Sequence, residues 1–173
     1  MKKYELTKET IKFKGKTLYR IKALKAFNEI EIGDLGGYVE SEDNLSQEDN
    51  CWIYGDAKVF DKAEVYDNAK IYGDAQIFGH GKIYDDAKVY GNVKIYGYAK
   101  VSDNARVFGN AKLYDHAQVY NNAKMYGNTE MYDNDSIGGY TVINGKIKIN
   151  GRNFKSSTNE STSLRSLLSK LNS

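Results

Sequence analysis

From Cys51 to Lys146 the chain repeats a six-residue unit sixteen times without an insertion. The first position is small, from Cys51, Ala57 and Ala63 through Gly81 and Val93 to Ala123, until Thr129, Asp135 and Thr141 break the run. The third position is always aliphatic or Met, from Ile53 and Val59 to Ile137 and Ile143. The fifth and sixth are mostly Gly, Asp and Asn, residues that accept left-handed backbone at turns. In extended chain, positions one and three share one face and positions two and four the other. One face is therefore small and aliphatic, fit to be buried, and the other pairs Lys with Tyr or Phe.

A six-residue unit cannot bury its own apolar face, but a coil of such units can. The fifth position of every third unit is Gly, at Gly55, Gly73, Gly91, Gly109, Gly127 and Gly145, whereas the other corners favour Asp, as at Asp61, Asp67, Asp85, Asp103 and Asp115. This period of eighteen predicts a triangular rung of three strands. At about 4.8 Å per rung, some five rungs make a prism roughly 25 Å long.

The spacing from each aliphatic residue to a small residue four places on, as from Val59 to Ala63 and Val65 to Ala69, resembles the hexapeptide repeat of left-handed parallel β-helices, a family that includes trimeric acyltransferases. The resemblance covers about 96 residues. It supplies the left hand of the coil, since crossovers between parallel strands are ordinarily right-handed. The residue after the aliphatic is Tyr or Phe here, where that family usually has a small or acidic one. This variant, with the leader "GDLGGYVESEDNLSQ" (residues 33–47), is similar to a group of hexapeptide-repeat proteins carried by phages and prophages.

Charge and composition narrow the options. The net charge is +2, so the chain as a whole is no polyanion binder, although the last segment carries Lys148, Arg152, Lys155, Arg165 and Lys170 against Glu160. The single cysteine, Cys51, allows no internal disulfide and suits a reducing compartment. No apolar run is long enough to span a bilayer and no signal peptide is visible, so the expected location is the cytoplasm of a bacterial host cell. Proline is absent, so every residue can donate a backbone hydrogen bond, as a chain that is nearly all ladder requires.

Wrapping the units onto three faces aligns the outer aromatics. The first ladder is Tyr54, Tyr72, Tyr90, Phe108 and Tyr126, beside Trp52, Lys70, Lys88, Arg106 and Lys124. The second is Phe60, Phe78, Tyr96, Tyr114 and Tyr132, and the third is interrupted at Ser102 and Gly138. Two readings stand: a binding surface for stacking ligands, nucleic acid or a protein, and rung-on-rung bracing of the coil. Self-association is expected before nucleic-acid binding, because corner acids offset the lysines.

The resemblance to acyltransferases implies a catalytic histidine and an acyl-CoA site between subunits. His80 and His116 lie thirty-six residues apart, two rungs on one corner, with Tyr98 between them. No loop is extruded from the coil, and both fill an ordinary turn slot, so no catalytic residue is assigned. Two histidines cannot make a three-histidine metal site, the corner acids are explained by turn chemistry, and neither metal nor cofactor is expected. The flat threonine arrays of ice-binding coils are missing. "GDLGG" lacks the strand-then-helix context of a nucleotide loop.

Residues 1–50 read as a β cap, with a hairpin around Lys14-Gly15. Residues 51–151 form the coil, and 152–173 a polar linker followed by a short helix with Leu164, Leu167, Leu168 and Leu171 at helical spacing. That helix is expected to dock on its own coil, on sister subunits or on a partner. The expected architecture is all-β: a left-handed parallel β-helix of about five rungs, with an N-terminal β cap and a short C-terminal helix. The expected function is a non-catalytic oligomeric scaffold, trimeric by the resemblance, which in a phage engages a host protein such as a defence component. No membrane partner is expected. The alternative is a hexapeptide acyltransferase using acyl-CoA.

Overall fold

The computed structural model describes residues 1–150 and the backbone of Lys155–Ser156. The expected linker and helix of the C-terminal segment, with Leu164, Leu167, Leu168 and Leu171, lie outside the described residues. The chain is all-β, a left-handed parallel β-helix of about six turns. Each unit contributes a short strand at its second and third positions, such as Lys70–Ile71, Gln76–Ile77 and Lys82–Ile83. These sort onto three faces, the first with six strands and the third with five. Pairing is in register at a step of eighteen: Lys88 beside Lys70 and Arg106, Lys94 beside Gln76 and Lys112, Lys100 beside Lys82 and Gln118.

The interior follows the repeat. Positions one and three are buried all along the coil, from Cys51, Ile53 and Ala57 to Ala123, Met125 and Met131. Rung is tied to rung through the backbone, as in Lys70 N–H to Ala87 O at 3.0 Å and Tyr72 N–H to Val89 O at 2.8 Å. The fifth position turns the corner. Gly55, Asp61, Asp67, Gly73, Gly79 and Asp85 all have φ between 54° and 70°, and the fifth position of every later unit also has positive φ, up to 99° at Gly145.

The parallel ladder begins earlier than the repeat suggests. Strand β1 (Tyr4–Phe13) forms an antiparallel hairpin with β2 (Lys16–Ala23), and β2 pairs with β3 (Leu35–Val39). β3 then runs parallel to Lys58–Val59, so it is already a rung of the second face. Leu45 bridges Val65 in the same sense. The coil thus starts within the expected cap, which accounts for the additional turn.

The glycine pair of "GDLGGYVE" makes that start possible. A Cβ on Gly36 would stand 2.6 Å from the Ile53 carbonyl oxygen, and one on Gly37 would stand 2.4 Å from Ile53 Cγ2. Only glycine lets β3 press onto the first rung. Asn44 ties the cap to the coil through its side chain. Its buried amide donates to the Asp61 and Ala63 carbonyls at 3.0 and 2.9 Å and accepts from the Glu40 and Ser41 amides. Among the described residues, no helix is long and apolar enough to cross a membrane.

Candidate functional site

Two residues expected on the outer face are not on it. Trp52 is 1 % exposed, because Tyr4 and Phe27 of the cap meet its ring edge-on at 6.2 and 5.5 Å. Phe60 is 2 % exposed, packed with Leu18 and Tyr38 under the hairpin, with the Phe13 ring edge-on at 5.8 Å. The hairpin tip reaches one rung further, where Lys14 Nζ lies 4.1 Å from the Phe78 ring centre. Aromatics at these rungs are core of the cap junction. The open surface begins above them.

Most of the remaining outer aromatics are half-buried and stacked face to face; Tyr120, between Ser102 and Gly138, is exposed. On the second face Phe78–Tyr96, Tyr96–Tyr114 and Tyr114–Tyr132 all stack at 4.9 Å within 9° of parallel. The first ladder is stacked in two blocks: Tyr54–Tyr72 at 4.3 Å, then Tyr90–Phe108 at 4.7 Å and Phe108–Tyr126 at 4.5 Å. Lys88–Gly91 pairs with Arg106–Gly109 over four residues, which places Tyr90 and Phe108 in the strand ladder itself. Inside a block, as at Tyr96, Phe108 and Tyr114, stacking at the rung spacing occupies both ring faces, so a ligand there meets only ring edges and hydroxyls; the rings that end a block, such as Tyr72 and Tyr90, are stacked on one face alone.

The cations of the first face differ from those of the others. On the second face Lys112 and Lys148 flank Glu130 at 2.7 and 3.1 Å, and on the third Lys82 pairs with Glu64 at 3.0 Å. On the first face Lys70 and the Tyr54 hydroxyl share Glu29 of the cap, both at 2.5 Å, which holds the Glu29 carboxyl down at about 2. Lys88, Arg106 and Lys124 above it are exposed, in register, and without a carboxylate partner among the described residues. A shallow groove of about 700 Å³ runs along their edge, lined by Asn68, Asn104, Lys88, Arg106 and others.

The histidines sit on the corner between the second and third faces. His80, Tyr98 and His116 form a parallel stack, with centroids 4.6 and 5.1 Å apart. His80 also borders a groove of about 520 Å³ with Lys16, Glu40, Ser41, Asp61 and Lys62. The acids there are already engaged, since Lys16 pairs with Glu40 at 2.9 Å and Asp61 at 2.7 Å. Burial acts to raise the Asp61 carboxyl, but the Lys16 ammonium and the Gly79 amide outweigh it and hold it below its ordinary value.

Sequence reasoning missed the cap's role at these places, because Glu29, Lys14 and Lys16 belong to no repeat. It also missed Lys3. This residue is fully buried, with Nζ 3.0 Å from the Glu48 carbonyl, 3.1 Å from the Cys51 carbonyl and 3.2 Å from Cys51 Sγ. Burial pushes the Lys3 ammonium down and the Cys51 thiol up. Together they pin the chain start to the first rung.

No family model matches the chain. Over 62 residues it is 39 % identical to a curated protein described as an uncharacterized acetyltransferase, YdcK, of Escherichia coli K12. The match covers 31 % of this chain, and the chain spans about a fifth (19 %) of the relative's length. The coil and this local similarity together support a hexapeptide-repeat β-helix family for the chain.

Proposed function

We propose that the chain is a non-catalytic binding scaffold that presents its first face to a macromolecule, in the first instance a further copy of itself. The observation that carries this reading is the state of that face. Tyr90, Phe108 and Tyr126 are already stacked on one another, so little side-chain freedom is left to lose on contact. Lys88, Arg106 and Lys124 stand exposed beside them without partners among the described residues. A flat array of aromatic edges, hydroxyls and cations suits a protein surface, where Tyr and Arg are enriched. Within this reading the assembly is a homo-oligomer, a trimer by the resemblance. The phage origin and a host protein as second partner rest on that resemblance alone.

The test compares three double variants by light scattering at a temperature where each stays folded: Tyr72→Ser with Tyr90→Ser, Phe78→Ser with Tyr96→Ser, and Tyr66→Ser with Tyr84→Ser. Loss of mass in the first alone is the expected result. A parent that stays monomeric at high concentration, or three variants that keep the parent mass, sinks the proposal and leaves bracing as the role of the ladders.

A second reading has its own support. The local similarity is to a protein described as an acetyltransferase, and His80 opens onto a polar groove. In that reading the chain transfers an acyl group from acyl-CoA with His80 or His116 as general base. Incubation with acetyl-CoA and mixed acceptors decides: turnover that disappears in His80→Ala or His116→Ala replaces the scaffold with the enzyme.

A further inference from the structure

The stacked corner is palindromic. Reading along the coil axis, the sixth positions of five successive rungs are Lys62, His80, Tyr98, His116 and Asn134, so the two histidines stand one rung on either side of Tyr98. The ring planes are within 8° of parallel, so their normals run along the stack and their edges face outward. Tyr98 is 52 % exposed, His116 is exposed and His80 is partly so. Neither imidazole has a hydrogen-bond partner among the described residues. The rung order is held rigidly, with His80 N–H to Gly97 O at 2.7 Å, Tyr98 N–H to Asp115 O at 2.6 Å and His116 N–H to Asp133 O at 2.8 Å.

Two unpartnered imidazoles on a rigid support attract a borderline divalent cation. One chain cannot chelate it. The rings lie about 10 Å apart across two rungs, whereas nitrogens that share a metal at about 2.0–2.1 Å per bond are at most about 4 Å apart. A second copy removes the difficulty. A two-fold axis through the Tyr98 rung, perpendicular to the coil, sets His80 of each copy opposite the partner's His116. Each half-site is thereby completed twice over. The same axis sets Lys62, two rungs below Tyr98, opposite the end that carries Asp133, two rungs above it. Both are exposed and neither has an ion-pair partner among the described residues, so the ends are complementary in charge.

We propose that this corner is a split metal site. An imidazole-preferring divalent cation of the zinc class joins two antiparallel copies, each ion held by His80 of one and His116 of the other. The inference is independent of the first-face scaffold. The mass without metal tests that scaffold, and the metal-dependent increment tests this site.

The probe is zinc chloride, in slight excess over chain, added to metal-free full-length protein and followed by light scattering and calorimetry. The expected result is at least a twofold rise in mass, one zinc per chain, reversed by a chelator. His80→Asn and His116→Asn separately abolish the rise, because each ion needs one of each residue. Asn already fills this slot at Asn134, so both variants keep the turn, which circular dichroism checks. An equimolar mixture of the two variants regains the rise with half the zinc, since one mixed pair of rings survives per dimer. Zinc that does not bind, zinc that binds without a change in mass, a rise that survives either single variant, or a mixture that stays at the metal-free mass each overturns the proposal.

Discussion

The coil turns two of its corners by different means. At the first corner Gly73, Gly91, Gly109 and Gly127 stand above one another with φ of 70–86°. At the third, Asp67, Asp85, Asp103 and Asn121 hold φ of 54–55°. Both are left-handed, but the smaller angle is the one an L-residue tolerates. At the first corner a Cβ would meet the next rung's backbone: Gly91 at 2.9 Å from the Gly109 oxygen, Gly127 at 2.8 Å from the Gly145 nitrogen. At the third, the side chain is itself part of the ladder. The carboxylates of Asp67, Asp85 and Asp103 accept from the amides of Asp85, Asp103 and Asn121 at 3.1, 3.1 and 2.8 Å. One corner closes by bringing backbones together, the other by a carboxylate bridging them.

The sharpest way to break this comparison is to add a methyl group at the glycine corner. Gly91→Ala and Gly127→Ala each combine a left-handed alanine with a displaced backbone, and each is expected to cost about 2–3 kcal/mol. Gly55→Ala is the control. Its φ is also positive, but the nearest atom is 3.8 Å from the added carbon, so only dihedral strain of about 1–2 kcal/mol remains. Urea unfolding of the three variants measures the difference. Equal losses at Gly55 and Gly91 would show that clearance plays no part.

At the aspartate corner the expected loss is smaller. Asp85→Ala removes the acceptor of the Asp103 amide on an exposed turn and leaves alanine at a φ of 54°, and the two together are expected to cost about 1–2 kcal/mol. Asp85→Asn keeps an oxygen in place and should cost less than half as much. Urea midpoints separate the two, and an alanine variant as stable as the parent would remove the bridge from the argument.

These corners were the most legible part of the molecule. Asp, Asn and Gly at every fifth position imply left-handed backbone, and all sixteen take it. The burial of positions one and three followed from the same rhythm. The period said nothing of what packs across it. Trp52 and Phe60 occupy outer positions of regular units, yet the cap buries both, because Tyr4, Phe13 and Phe27 reach them from outside the repeat. Contacts between a periodic segment and an aperiodic one leave no periodic trace. For the same reason Glu29, which neutralises Lys70 and separates it from the open cations above, was invisible. The stacked histidine corner was half legible: the alignment of His80, Tyr98 and His116 follows from the period, and the parallel rings do not.

Acid distinguishes the corners in another way, since a glycine corner has nothing to protonate. Asp61, on the second corner, has its folded carboxyl below the ordinary value. A depressed carboxyl contributes stability at pH above its unfolded value of about 3.9, and that contribution is lost as pH falls through the lower folded value. Stability of the parent should therefore drop through this range, and Asp61→Asn should drop less steeply. Glu29→Gln should flatten the curve further, since the Glu29 carboxyl is held at about 2 by Lys70 and Tyr54. Urea midpoints across the acid range report the slopes, and a slope unchanged in both variants contradicts the assignment.

The smallest effect separates dihedral from clearance. Gly139 is a glycine on the aspartate corner, with φ of 61° and nothing within 4 Å of where its Cβ would be. Its angle is close to that of Asn121 directly below, so asparagine should enter without moving any neighbour. Asparagine also restricts the unfolded chain relative to glycine, while its own left-handed strain is small. Gly139→Asn is therefore expected to leave stability unchanged or raise it by up to about 0.5 kcal/mol. The same substitution at Gly91 has the same chemistry but an obstructed Cβ, and should still destabilise. If Gly139→Asn loses as much as Gly91→Asn, the two corners differ only in the residues they happen to carry; if it does not, close approach of backbones is what makes the first corner glycine.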